Sequence, residues 1–309
     1  MTRFVSILLY ANRGSSSCAS LHWALALAAE NQALLHVVDV LPGAKEGRVS
    51  ARGILRSKRS EVAARLRALG RLVEPGWRRG VAVQAEVLVG RPFVEIIRAV
   101  LRHGHDLVVL NAEAQEGRRG DPQRRTGVHL LRDCPCPVWV VKGDRREPYR
   151  RVLAAVDADE DWSGAQRESL RVLEFAKSVA ESGDCELRIV YGLGHWSSDF
   201  SVRRLDRHNS RLDQLLQRCD LSRAHHRVFI ESEAVADVVA DLCAEVDVLV
   251  MGTVWRGGAA GVLVADAAQD ALARVDCSVL AVKPEGLITP PRLSGRPSSR
   301  AGGVTSRAA

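Results

Sequence analysis

The chain has 309 residues, 46% of them apolar and 26% charged, which at roughly 100–200 residues per domain gives room for two domains. These are globular proportions, so disorder of the whole chain, collagen-like repetition and a fibrous coiled coil are excluded. The net charge of +7 is uneven: 24 Lys and Arg stand against 14 Asp and Glu in 1–148, and 16 against 23 in 149–286, so a basic half adjoins an acidic one, which implies either mutual attraction or an anionic partner for the first half.

In chain order, short β-branched runs alternate with longer helical patterns. The first half reads as strands near 4–10, 34–41, 81–88, 106–111 and 137–142, with helices near 17–31, 52–74, 92–103 and 127–133. The helix at 52–74 carries Ile54, Leu55, Val62, Leu66, Leu69 and Val73 on one stripe, the pattern of an amphipathic helix on a core. The second half reads as strands near 151–156, 185–191, 226–231, 247–252 and 278–283, with helices near 163–182, 200–219, 233–245 and 262–274. Such alternation predicts parallel sheets covered by helices on both faces.

The two halves repeat each other. Residues 106–142 align without a gap on 247–283, matching at Asp106/Asp247, Val109/Val250, Gly117/Gly258, Gly120/Gly261, Leu131/Leu272, Cys136/Cys277, Val138/Val279, Val141/Val282 and Lys142/Lys283. Upstream, FVSILLYAN starting at Phe4 corresponds to PYRRVLAAVDA starting at Pro148, with Asn12 opposite Asp157. The expected boundaries are therefore 1–145, 146–286 and a tail, 287–309. That tail is rich in Pro, Gly, Ser and Arg and has no acidic residue, a composition that cannot order itself.

The segments VDVLVMGTVWRGG and DCSVLAVKP of the second half, and DLVVLN and HLLRDCPCPVWVVK of the first, resemble the universal stress protein family. Two such domains in one chain resemble its tandem subgroup. The resemblance implies an α/β fold: two tandem doubly wound parallel five-stranded sheets, each in the order 3-2-1-4-5. It also implies a stress-response role, including resistance to DNA-damaging conditions. In single-domain relatives the last strands pair across a dimer. Here the corresponding edges, Pro137 to Lys142 and Ser278 to Lys283, are expected to pair within one chain and so protect two sheet edges; a homodimer is a further possibility of the family.

In the nucleotide-binding branch of the family, the loop after the fourth strand reads Gly-x2-Gly-x9-Gly-Ser/Thr, with an Asp ending the first strand. Glycines there let backbone N–H groups approach phosphates, and the following helix N-terminus favours negative charge. In the second half Asp157 and Gly252 match, but Trp255 and Ala265 replace the other glycines and Asp266 the hydroxyl residue. The candidate ligand residues are thus Asp157, Gly252, Thr253, Arg256, Gly257 and Gly258, a degraded nucleotide loop. Trp255 crowds it, and Asp266 places a carboxylate where phosphate would sit. The first half departs further, with Asn111 and Ala114 at the first two glycine positions. Its loop carries Arg118, Arg119, Arg124 and Arg125, an anion-holding set only if it is more than a solvated loop.

Other chemistry is poorly supplied. Seven cysteines, an odd number without Cys-x-x-Cys spacing, read as reduced thiols, and Cys134 and Cys136 as buried residues before a strand. His195, His208, His225 and His226 lack metal-ligand spacing, so no metal is assigned. No nucleophile motif indicates catalysis. Five per cent aromatic residues and no recognition motif leave only weak, salt-sensitive nucleic-acid contact. No apolar stretch reaches the roughly 18–20 residues of a membrane span, and no signal-peptide pattern opens the sequence, so the expected location is the cytoplasm. The reading that results is a non-enzymatic stress protein acting by protein contacts or by holding a small apolar or anionic ligand. No cofactor is assigned and ATP is disfavoured. The alternative is an ATP- or AMP-binding switch with slow ATPase activity in the second domain.

Overall fold

The structure is a computed structural model that describes residues 4–11, 19–42, 51–112, 122–143, 149–157, 163–192, 202–221, 226–230, 239, 241–253, 275–283 and 303–305. They fall into two compact units, one holding the described residues of Phe4–Cys136 with 303–305, the other those of Pro137–Ile288.

In the first unit the chain runs β1 (Ser6–Tyr10), α1 (Ala19–Asn31), β2 (Leu34–Leu41), α2 (Ala51–Arg78), β3 (Val83–Val89), α3 (Pro92–His103), β4 (Leu107–Asn111) and α4 (Pro122–Asp133). Strands β3, β2, β1 and β4 lie side by side and parallel. Strand β1 is buried along its whole length, as expected of a strand covered on both faces, and this is why its sequence is a continuous apolar run rather than an alternation. Helix α2 continues beyond the expected end at 74, through Pro75 to Arg78. Trp77 ties this last turn to the sheet, its Nε1 donating to the Val83 carbonyl at 3.2 Å. Helix α3 ends at Gly104, whose φ of 66° is the left-handed cap that returns an amide to the Val100 carbonyl.

The second unit holds β5 (Val138–Val141), β6 (Arg151–Asp157), α5 (Ser163–Gly183), β7 (Glu186–Gly192), α6 (Val202–Arg218), β8 (His226–Ile230), β9 (Val248–Gly252) and β10 (Ser278–Val282). Its parallel order β8-β7-β6-β9-β10 is the 3-2-1-4-5 order expected for the repeat. Strand β5 is grouped with this unit. It pairs antiparallel with β10, Trp139 opposite Leu280 and Val140 opposite Val279. The edges picked out in the sequence, Pro137 to Lys142 and Ser278 to Lys283, thus meet within one chain. Both strands are buried throughout.

Of the expected tail, Gly303–Thr305 is described, as a short strand, β11, antiparallel to β3 with Gly303 opposite Glu86. The helix expected at 262–274 lies outside the described residues. The six described cysteines are free thiols, and Cys134 and Cys136 are buried with their sulfurs 3.6 Å apart.

The repeat has a shared architectural device. Asp247 Oδ2 accepts the Arg150 and Arg151 amides at 2.7 and 3.0 Å, and Asp106 accepts those of Val5 and Ser6. Each carboxylate anchors the start of its repeat's first strand. Burial pushes the Asp106 carboxyl above the usual range, although its backbone hydrogen bonds pull the other way. Asp247→Ala is expected to cost about 1 kcal/mol, since water reaches the freed amides. Urea unfolding of the variant checks this; a loss near zero would remove the anchoring role.

Candidate functional site

Asp157 ends β6 and Gly252 ends β9, two strands that run side by side in the second unit. The structure therefore brings the backbones of these two sequence-predicted residues to the same end of one sheet. Thr253 follows directly, buried, with its amide donating to the Val282 carbonyl at 3.0 Å. Arg256, Gly257 and Gly258, together with Trp255, Ala265, Asp266, Arg118 and Arg119, lie outside the described residues, as do the side chains of Asp157 and of Arg124 and Arg125, whose backbone belongs to α4.

The residue that sequence reasoning missed here is Glu168. It sits on α5, is buried, and presses its carboxyl group onto Gly252. A Cβ at 252 would fall 2.9 Å from Glu168 Cδ and closer still to Oε1, a separation that side chains do not tolerate. Glycine is required at 252 by this helix packing alone. No local pattern signals it, because the contact joins residues far apart in sequence. Nearby, Arg171 of the same helix donates from Nη1 to the Lys283 carbonyl at 2.6 Å, closing the end of β10.

The equivalent place in the first unit is filled differently. Asn111, which stands opposite Gly252 in the repeat, accepts the Ser20 amide at its Oδ1, 3.2 Å away. Ser20 lies in the first turn of α1, where unpaired amides would otherwise attract an anion. The side chain of the fourth-strand terminus thus takes an amide that a phosphate would use. Both units place a carboxyl or carboxamide group where the fourth strand ends.

A second group passed over in the sequence lies in the first unit: His36, Glu86, His103 and His105. They come from β2, β3, the last residue of α3 and the turn after its cap. Scattered spacing hid them, whereas the histidines weighed for metal in the sequence, His195, His208, His225 and His226, have side chains outside the described residues.

Comparison with known proteins gives consistent results. The family model described as "Universal stress protein family" matches twice, over residues 6–142 and 148–283. Universal stress protein E of Escherichia coli strain K12 is 26% identical over 231 residues, covering 69% of this chain and 72% of that protein. The universal stress protein E homolog of Haemophilus influenzae is 24% identical over 201 residues, covering 60% and 64%. Among solved structures, a putative universal stress protein from Pseudomonas aeruginosa UCBPP-PA14 aligns with a TM-score of 0.68 at 20% identity, covering 92% of this chain and 95% of that one. A universal stress protein from Archaeoglobus fulgidus DSM 4304 aligns at 0.63 and 17% identity, covering 90% and 98%. At these identities the structural likeness speaks for the fold.

Proposed function

The chain belongs to the universal stress protein family, through two copies of its domain, and from this premise we propose that it serves the stress response without catalysis, by protein contacts or by holding a small ligand. The family places it in the stress response. The observation that carries the non-enzymatic reading is the buried Glu168 carboxyl packed on Gly252. It accounts for the glycine by packing and puts a carboxyl group at the strand end that a phosphate cradle would need. The substitutions Trp255, Ala265 and Asp266 point the same way.

The resemblance extends the reading to survival of DNA-damaging conditions and to a cytoplasmic location. No described helix is long and apolar enough to cross a membrane, which agrees with that location. A deletion strain is expected to lose viability under ultraviolet light, and unimpaired survival would remove this part of the reading.

Phosphate release from MgATP tests the absence of catalysis. The purified full chain is expected to release phosphate no faster than buffer. Release that Asp157→Ala abolishes would overturn the proposal in favour of a switch that hydrolyses ATP slowly.

A further inference from the structure

In the first unit, four side chains converge beside the N-terminal ends of β1 and β2. Asn111, the C-terminal end of β4, lies at the opposite end of the same parallel strands. His36, near the start of β2, is buried; Glu86 on β3 is half-buried and His103 is exposed. His36 and Glu86 point to one face of the sheet because they sit at positions of like parity, Val38 of β2 being the register partner of Glu86. His36 Nε2 lies 3.3 Å from Glu86 Oε2. One ligand atom from each of His36, Glu86 and His103 falls within 4.8 Å of the others. The ring centroids of His36 and His103 are 5.3 Å apart.

From this geometry we infer that His36, Glu86 and His103 bind a divalent transition-metal ion of the zinc type. Two imidazoles and a carboxylate form a donor set that zinc accepts, leaving a fourth position for water. Ligand atoms of a tetrahedral site with bonds of about 2.0–2.1 Å stand about 3.3 Å apart, the separation already present between His36 and Glu86. His103, at the surface, closes the site by a side-chain adjustment that its exposure permits.

Surrounding groups have the form of an outer shell. His36 Nδ1 lies 3.1 Å from His105 Nε2, and His105 Nδ1 lies 2.8 Å from Ser6 Oγ. With His105 carrying its proton on Nδ1 and donating to Ser6, its Nε2 accepts from His36 Nδ1. His36 Nε2 then presents a lone pair toward Glu86. That tautomer leaves the His36 Nε2 lone pair available to a cation shared with Glu86. Such a partner on the remote nitrogen is what fixes the orientation of a ligating histidine. His103 is also the last residue of α3, whose negative dipole end favours a cation.

The site is tested on the full, tag-free chain after removal of metal, by equilibrium dialysis against zinc. The expected result is one bound equivalent in the wild type and its loss at stoichiometric zinc in both His103→Ala and Glu86→Gln. The exposed position of His103 lets its variant keep the fold, which circular dichroism verifies. Cobalt(II) provides a second readout: the loaded wild type is expected to show visible ligand-field bands without thiolate charge transfer, since the ligands are nitrogen and oxygen. No bound zinc in the wild type would overturn the assignment. Retention of the equivalent by both folded variants, or a thiolate charge-transfer band that places the ion on cysteines, would also overturn it.

Discussion

Replacing Trp139 by alanine is expected to destabilise the unit formed by Pro137–Ile288 by about 3–5 kcal/mol. Trp139 is fully buried and is among the largest side chains in the chain to be so. It stands on β5 opposite Leu280 of β10, itself fully buried, and its ring lies 6.1 Å from that of Tyr149. Truncation removes the largest apolar side chain of this strand, which has only four residues. Hydrogen exchange measures the consequence locally. Amides of Val279 and Ala281 are expected to exchange faster in the variant, because alternation along β10 aims these two at β5. Unchanged exchange there would show that β10 does not depend on the strand donated by the first repeat.

The second large effect concerns Gly252. Alanine at this position is expected to cost about 1–3 kcal/mol in the ligand-free chain, the usual range for overpacking a filled site. The cause is Glu168, whose carboxyl group occupies the space a Cβ needs. In a Glu168→Ala background the same replacement is therefore expected to be close to neutral. The difference between the two costs is a coupling energy, which a double-mutant cycle in urea isolates. A glycine kept for phosphate approach would behave otherwise: Gly252→Ala would leave ligand-free stability unchanged in both backgrounds and affect only nucleotide binding.

Much of the architecture was legible in the sequence. Strands such as β1 and β10 are buried on both faces, so their apolar runs stand out, and helix α3 announces both ends through Pro92 and Gly104. The internal repeat correctly matched Asp106 with Asp247, two carboxylates with the same anchoring contacts. Even the pairing of Pro137 to Lys142 with Ser278 to Lys283 followed from edges that need cover. What the sequence did not convey was which contacts reach across the fold, because local pattern defines an element and not its tertiary partners. The extension of α2 through Pro75 was missed for a related reason. Trp77 holds that turn by a tertiary hydrogen bond, which outweighs the local preference of proline to end a helix.

The candidate site was legible only in part. Asp157 and Gly252 were proposed from the resemblance to a spaced family motif, and they end neighbouring strands. The motif gave no warning of Glu168, since a carboxyl group that packs across the fold leaves no spacing signature. His36, Glu86 and His103 were invisible for the same reason: β2, β3 and α3 each contribute one residue, and only folding brings them together.

Calorimetric titration of the purified, nucleotide-free chain with MgATP, repeated with AMP, tests most directly whether this protein has given up nucleotide. No binding heat at millimolar nucleotide is the expected result, with Glu168 and Asn111 occupying the strand ends where phosphate would approach. Micromolar binding that Asp157→Ala removes would contradict the account and make the second unit a nucleotide-dependent switch.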